Sequence, residues 1–156
     1  MFIFLKHENV VVVVYGSMLY DDPVNLDFDL ECFTDRENKK VKKEILFGNM
    51  QRDLTDRWTI GTEGHISYGS LERIELHLKK IKESNDYTGK NAWSIYGDFS
   101  RLSTLTTAYA GFTPNERLPD ELRRKASRLI KEPFIGATVI KELQDTLSIR
   151  EERRRR

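Results

Sequence analysis

Five consecutive valines, Val10 to Val14, constrain this chain more than any other stretch. A continuous β-branched run of that length reads as a strand buried on both faces, and so as a central strand of a sheet. It stops at Tyr15-Gly16-Ser17, where glycine turns the chain and serine can cap a helix. A short helix or turn through "SMLYDD" is expected next, ended by Pro23. Residues 25 to 33, "NLDFDLECF", then alternate. The alternation puts Leu26, Phe28, Leu30 and Cys32 on one strand face and Asp27, Asp29 and Glu31 on the other. The apolar face is expected to be core. Three carboxylates in a row repel one another unless a cation sits among them.

Further along, Thr34-x-x-Glu37 has the form of a capping box, and Val41, Ile45, Leu46 and Met50 give a helical stripe through about residue 50. Residues 57 to 68 read as extended. Ser70 is expected to cap a helix whose buried face is Leu71, Ile74, Leu78 and Ile81. "NAWSIYGDF", residues 91 to 99, reads as a short strand ending at Gly97, and residues 101 to 112 are ambiguous. Two helices are expected at the end. One buries Leu122, Ala126, Leu129 and Ile130 with Pro133 beyond it, and the other has Val139, Ile140, Leu143 and Leu147 in register. The expected fold class is α/β, in the broad sense α+β: a mixed sheet flanked by helices, with a C-terminal helical segment. The expected organisation is a core over residues 1–100, a helical segment over 101–149 packed on it, and a mobile arginine-rich tail over 150–156.

Composition narrows the function. The chain's 156 residues suit one domain. One cysteine, Cys32, excludes an intramolecular disulfide and a cysteine zinc cluster, and the three histidines lack metal-ligand spacing. No apolar run approaches the ~20 residues of a membrane span. The N-terminus has no small-residue cleavage pattern, so a cytoplasmic protein is expected. Charge is balanced, at 26 basic and 25 acidic residues. The net charge is +1, and the tail "REERRRR" carries +3, which leaves −2 for the rest. That argues against a nucleic-acid footprint spread over the body. Trp58 and Trp93 read as core anchors, and His65 and His77 as surface or core-edge residues.

Two carboxylates two apart on one strand face can share a hard divalent ion, Mg²⁺ or Mn²⁺. A glycine and serine at a strand end offer N–H groups and a hydroxyl to phosphate oxygens. An apolar strand, Gly16-Ser17, nine residues, then Asp27-Phe28-Asp29-Leu30 together resemble the minimal nucleotidyltransferases of the DNA polymerase beta superfamily. The resemblance is specific over residues 10 to 33. It implies that Gly16 and Ser17 bind the nucleotide phosphates and that Asp27 and Asp29 hold the metal. It implies a third carboxylate on a neighbouring strand, acting as base toward an incoming hydroxyl. Glu63 is the acid available in "TEGHISY", sharing a face with His65 and Ser67 by parity, and Glu31 is a second candidate. The implied activity is Mg²⁺-dependent transfer of a nucleoside monophosphate from a nucleoside triphosphate to a hydroxyl acceptor. The alternative is a catalytically degenerate fold of this type acting as an antitoxin-like binding module for a helical protein partner. A dehalogenase-type phosphatase also uses Asp-x-Asp after an apolar strand. It needs threonine or valine where Glu31 stands, and a preceding strand is foreign to it.

Overall fold

The computed structural model describes residues 6–15, 28–48, 64–107, 110–112 and 117–155. The valine run forms β1, Val11–Tyr15, and the alternating segment forms β2, Phe28–Thr34. A short helix α1, Lys39–Lys43, runs on into a π turn over Glu44–Gly48. Strand β3, Gly64–Ser70, leads directly into α2, Leu71–Ser84. Then come α3, Gly89–Thr107, a short β4, Ala110–Phe112, α4, Arg117–Leu129, and α5, Pro133–Arg155.

The sheet order is β3-β2-β1-β4. β1 lies antiparallel to both β2 and β4, whereas β2 and β3 run parallel. The class is therefore mixed α+β with a C-terminal helix, as the sequence pattern implied. Both faces of β1 are covered, which is why five valines stand in a row. On one face Val11 and Val13 join Phe33 and the buried stripes of α2, α3, α4 and α5 in the main core. On the other face Val10 and Val12 pack with Leu30, Cys32, Ile45 and Tyr68 in a smaller core. Ile135 and Val139 of α5 share the main core with Val11 and Phe33, so the C-terminal helices and the sheet bury one continuous interior.

Several expectations change. The carboxylate side of β2 is not a solvated face along its length. Past Asp29 it passes under the helical layer, so Glu31 is buried and Phe33 sits in the larger core. The capping box at Thr34 does not form. The strand ends at Thr34, the chain bends at Asp35 and Arg36, and the helix is capped by Asn38, whose side-chain oxygen accepts from the backbone N–H groups of Lys40 and Val41, both at 3.1 Å. Thr34 instead meets the Tyr68 hydroxyl at 2.7 Å inside the protein. The expected strand at residues 91–99 is the first half of α3. Its aromatic and β-branched residues favour strand locally, but Ala92, Ile95, Leu102 and Leu105 bury one helical face against the core.

Trp93 is no anchor, being 72% exposed. Tyr96-Gly97-Asp98 lies within α3 rather than at a strand end. On α5 only Val139 of the expected stripe is buried, and Ile140, Leu143 and Leu147 face solvent. The arginine-rich end, expected to be a mobile tail, is helical through Arg155. Ser70 caps α2 as expected, with the Arg73 N–H donating to its hydroxyl at 3.2 Å, and the four expected residues of α2 are buried. Among the described residues, no helix is long and apolar enough to cross a membrane.

Candidate functional site

β1 ends where β2 and β3 begin. Tyr15, the last residue of β1, is in register with Asp29, which in turn is in register with His65 near the start of β3. Three segments that the sequence assigns to one site therefore attach to a single edge of the sheet. Gly16 and Ser17 follow Tyr15, Asp27 precedes Phe28, and Glu63 precedes Gly64. Gly16, Ser17, Asp27 and Glu63 themselves lie outside the described residues, as does Trp58. Asp29 is described, and it is half-buried at the edge rather than withdrawn into the core.

One register step inward, the polar row continues. Val13, Glu31 and Ser67 are aligned across the three strands. Glu31, the second candidate for a third carboxylate, is 4% exposed. Arg101 of α3 brings Nε to 3.0 Å from its Oε1, an ion pair without hydrogen-bond alignment. Burial pushes the Glu31 carboxyl up, and the Arg101 guanidinium pulls it partly back. Arg101 also donates to the Tyr68 carbonyl at 3.3 Å, which ties α3 to β3. Glu31 is thus buried and paired, whereas Asp29 stays half-buried at the edge. Burial also raises the Tyr15 hydroxyl, helped by the negative charges of Glu31 and Asp29 and opposed by a hydrogen bond with Ser67. The Tyr15 hydroxyl therefore stands beside two carboxylates and a serine at that edge.

Cys32 faces the smaller core, where burial and then the Glu31 charge push its thiol up to about 12. It is inert at neutral pH. Among the described residues, Asp29 is a carboxylate at this edge, and Asp27 lies outside them. Among the described residues, no group of three His, Cys, Asp or Glu side chains comes together as a metal site.

Tyr15, Ser67 and Arg101 were not singled out from the sequence. For Tyr15 the signal was present, since it directly precedes Gly16-Ser17. For Arg101 there was none, because its partner lies 70 positions away and only the packing of α3 over the sheet joins them.

A second polar group lies at the opposite edge. Asp98 of α3 is buried and meets His77 of α2, with Oδ2 2.6 Å from Nδ1. Burial raises the Asp98 carboxyl, and His77, Arg101 and Arg73 oppose that rise. These residues border a hollow of about 560 Å³ between α1, the end of β3, α2 and α3. Gly69 is needed in its wall. A Cβ there would stand 3.2 Å from a Phe33 ring carbon and 3.4 Å from Glu31 Oε1. The sequence repeats its Tyr-Gly-Ser tripeptide here, at residues 68–70, again at a strand end. Comparisons with protein families, with curated proteins and with solved structures find no match for this chain.

Proposed function

We propose that the chain transfers a nucleoside monophosphate from a nucleoside triphosphate to a hydroxyl acceptor at the edge where β1 ends and β2 and β3 begin. The observation that carries this reading is the register Tyr15–Asp29–His65, which attaches the Gly-Ser segment, the Asp-x-Asp segment and the Glu63 segment to one edge of the sheet. In it, Gly16 and Ser17 offer backbone N–H groups and a hydroxyl to the phosphate oxygens. Asp27 and Asp29 would hold Mg²⁺ or Mn²⁺, which neutralises the triphosphate and the charge that develops in displacement. Glu63 accepts the proton of the attacking hydroxyl. The Tyr15 hydroxyl would be available to donate a hydrogen bond at the same edge. The burial of Glu31 with Arg101 favours Glu63 over it as the base in this reading.

A second reading has its own observation. Ile140, Leu143, Leu147 and Ile149 leave much of α5 apolar and uncovered, and this favours a protein-docking role in which the nucleotide edge is a relic. The two readings separate in one experiment. Melting temperature is followed with each nucleoside triphosphate, with and without Mg²⁺, for the parent, Asp27→Ala and Asp29→Asn. Ligand at ~100 times its Kd adds about 2.7 kcal/mol, a rise of roughly 5–10 °C for a chain of this size. The transferase reading expects a Mg²⁺-dependent rise that both substitutions abolish. No rise with any triphosphate leaves the docking reading standing.

A further inference from the structure

The hollow at the far edge of the sheet gathers cations from three separate elements. Lys42 comes from α1, Arg73 and Lys80 from α2, and Arg101 from α3, with His77 between them. Most carboxylates that could answer these charges are already engaged. Asp98 is held by His77, and Glu31 is buried against Arg101. Glu37 lines the hollow and accepts from the Ser70 hydroxyl at 2.8 Å. Among the described residues, Arg73 and Lys80 take part in no ion pair, and Lys42 meets only the face of the Tyr68 ring, at 5.9 Å. Asp98 also attracts Arg73, though without an ion pair, so Lys42, Arg73 and Lys80 face only Glu37 and a share of the Asp98 charge. Like charges gathered in a concave wall repel one another, and an anion placed among them relieves that repulsion.

We propose that this hollow binds the pyrophosphate group of a small ligand, an inorganic polyphosphate or a nucleoside polyphosphate, as a site separate from the carboxylate edge. Asp29 is in register with His65, and the hollow is lined from Tyr68 to Ser70, about 10–16 Å further along β3 at strand spacing. One ligand phosphate at the carboxylate edge therefore does not fill it. The planar Arg73 fork suits paired phosphate oxygens, and Lys42 and Lys80 supply further point charges in the same hollow. A volume of about 560 Å³ admits a ligand of nucleotide size. A stripe of surface lysines on one helix would not need an explanation. Cations converging from α1, α2 and α3 on one concavity do.

The test is calorimetric titration of sodium pyrophosphate into the full chain in EDTA, at ionic strength held constant with sodium chloride. Saturable single-site binding is expected. The double substitution Arg73→Ala/Lys80→Ala weakens it by about tenfold or more, from the loss of two charge-assisted contacts. Both side chains are exposed, so the melting temperature without ligand stays close to the parent's. Lys80→Glu alone acts in the same direction. Asp29→Asn leaves pyrophosphate binding in EDTA unchanged while abolishing the Mg²⁺-dependent triphosphate effect, so failure of one site is distinguishable from failure of the other. A nucleoside diphosphate that binds more tightly than pyrophosphate identifies a nucleotide as the source, and equal affinity identifies bare polyphosphate. Absence of saturable binding overturns the proposal, as does an affinity that the double substitution leaves within about threefold of the parent's.

Discussion

Glu31 and Asp29 are two residues apart on the same strand, yet their surroundings give them different work. Asp29 stays half-buried at the sheet edge, whereas Glu31 goes under α3 and meets Arg101. Alternation alone treats them as equivalent, because period two fixes the face of a strand but not how far the helical layer extends over it. The burial of Glu31 has a consequence for stability. Its folded-state pKa is raised above the ordinary 4.5, so the folded chain holds that proton more tightly than the unfolded one. Its contribution to stability is greatest below about pH 4.5 and is lost as pH rises through the raised value. Glu31→Gln removes that dependence. In urea unfolding between about pH 4 and pH 8, the stability of the parent minus that of the variant should therefore fall as pH rises. A difference that stays flat across the range contradicts the assignment.

Elements were legible where one periodicity dominated. The β-branched run of β1, the stripe of α2 and its Ser70 cap follow from spacing that admits one reading. Helix α3 was misread because its first half is rich in strand formers and carries Gly97, while the face that makes it a helix extends to Leu105, beyond the window of the misreading. Gly97 of α3 and Gly69 of β3 sit in opposite environments. Gly97 lies on the exposed side of α3, and a Cβ there meets nothing within 4 Å. Gly97→Ala should stabilise by about 0.5–1 kcal/mol, through better helix propensity alone. Gly69, at the end of β3, faces Phe33 and Glu31, both buried. Gly69→Ala should destabilise by roughly 1–3 kcal/mol through overpacking. Thermal or chemical unfolding of the two variants side by side checks both signs. A stabilising Gly69→Ala would mean that the β2–β3 contact is looser than the structure has it.

At the scale of the whole molecule, α5 is two helices in one. Its first turns bury Ile135, Thr138 and Val139 against the core, and α5 then extends through Arg155 with its apolar residues uncovered. Ile135→Ala should cost about 2–5 kcal/mol, the usual penalty for a large-to-small change at a fully buried position. Leu147→Ala should stay within about 0.5 kcal/mol in the isolated chain. Denaturant midpoints measure both. A large loss for Leu147→Ala would show that a second surface, from another copy or from the chain itself, covers α5 in solution. The same division places the charge. The arginine-rich end rides on the uncovered part of the helix, away from the core that holds the sheet.

By itself, the sequence determined a buried central strand, an Asp-x-Asp strand beside it, a capped helix after β3 and two helices toward the end. These follow from short-range periodicity, caps and proline placement, which depend on neighbours within a few residues. Gly16, Ser17, Asp27 and Asp29 are candidates through a motif resemblance that rests on residue types and their spacing. Only the tertiary structure decided which side of the sheet carries the larger core, which carboxylate is buried under the helical layer and which cations share a hollow. Glu31–Arg101, Asp98–His77 and the Lys42–Arg73–Lys80 convergence each join separate elements. Such meetings are set by how helices pack across a sheet, and side-chain periodicity along the chain carries no record of them.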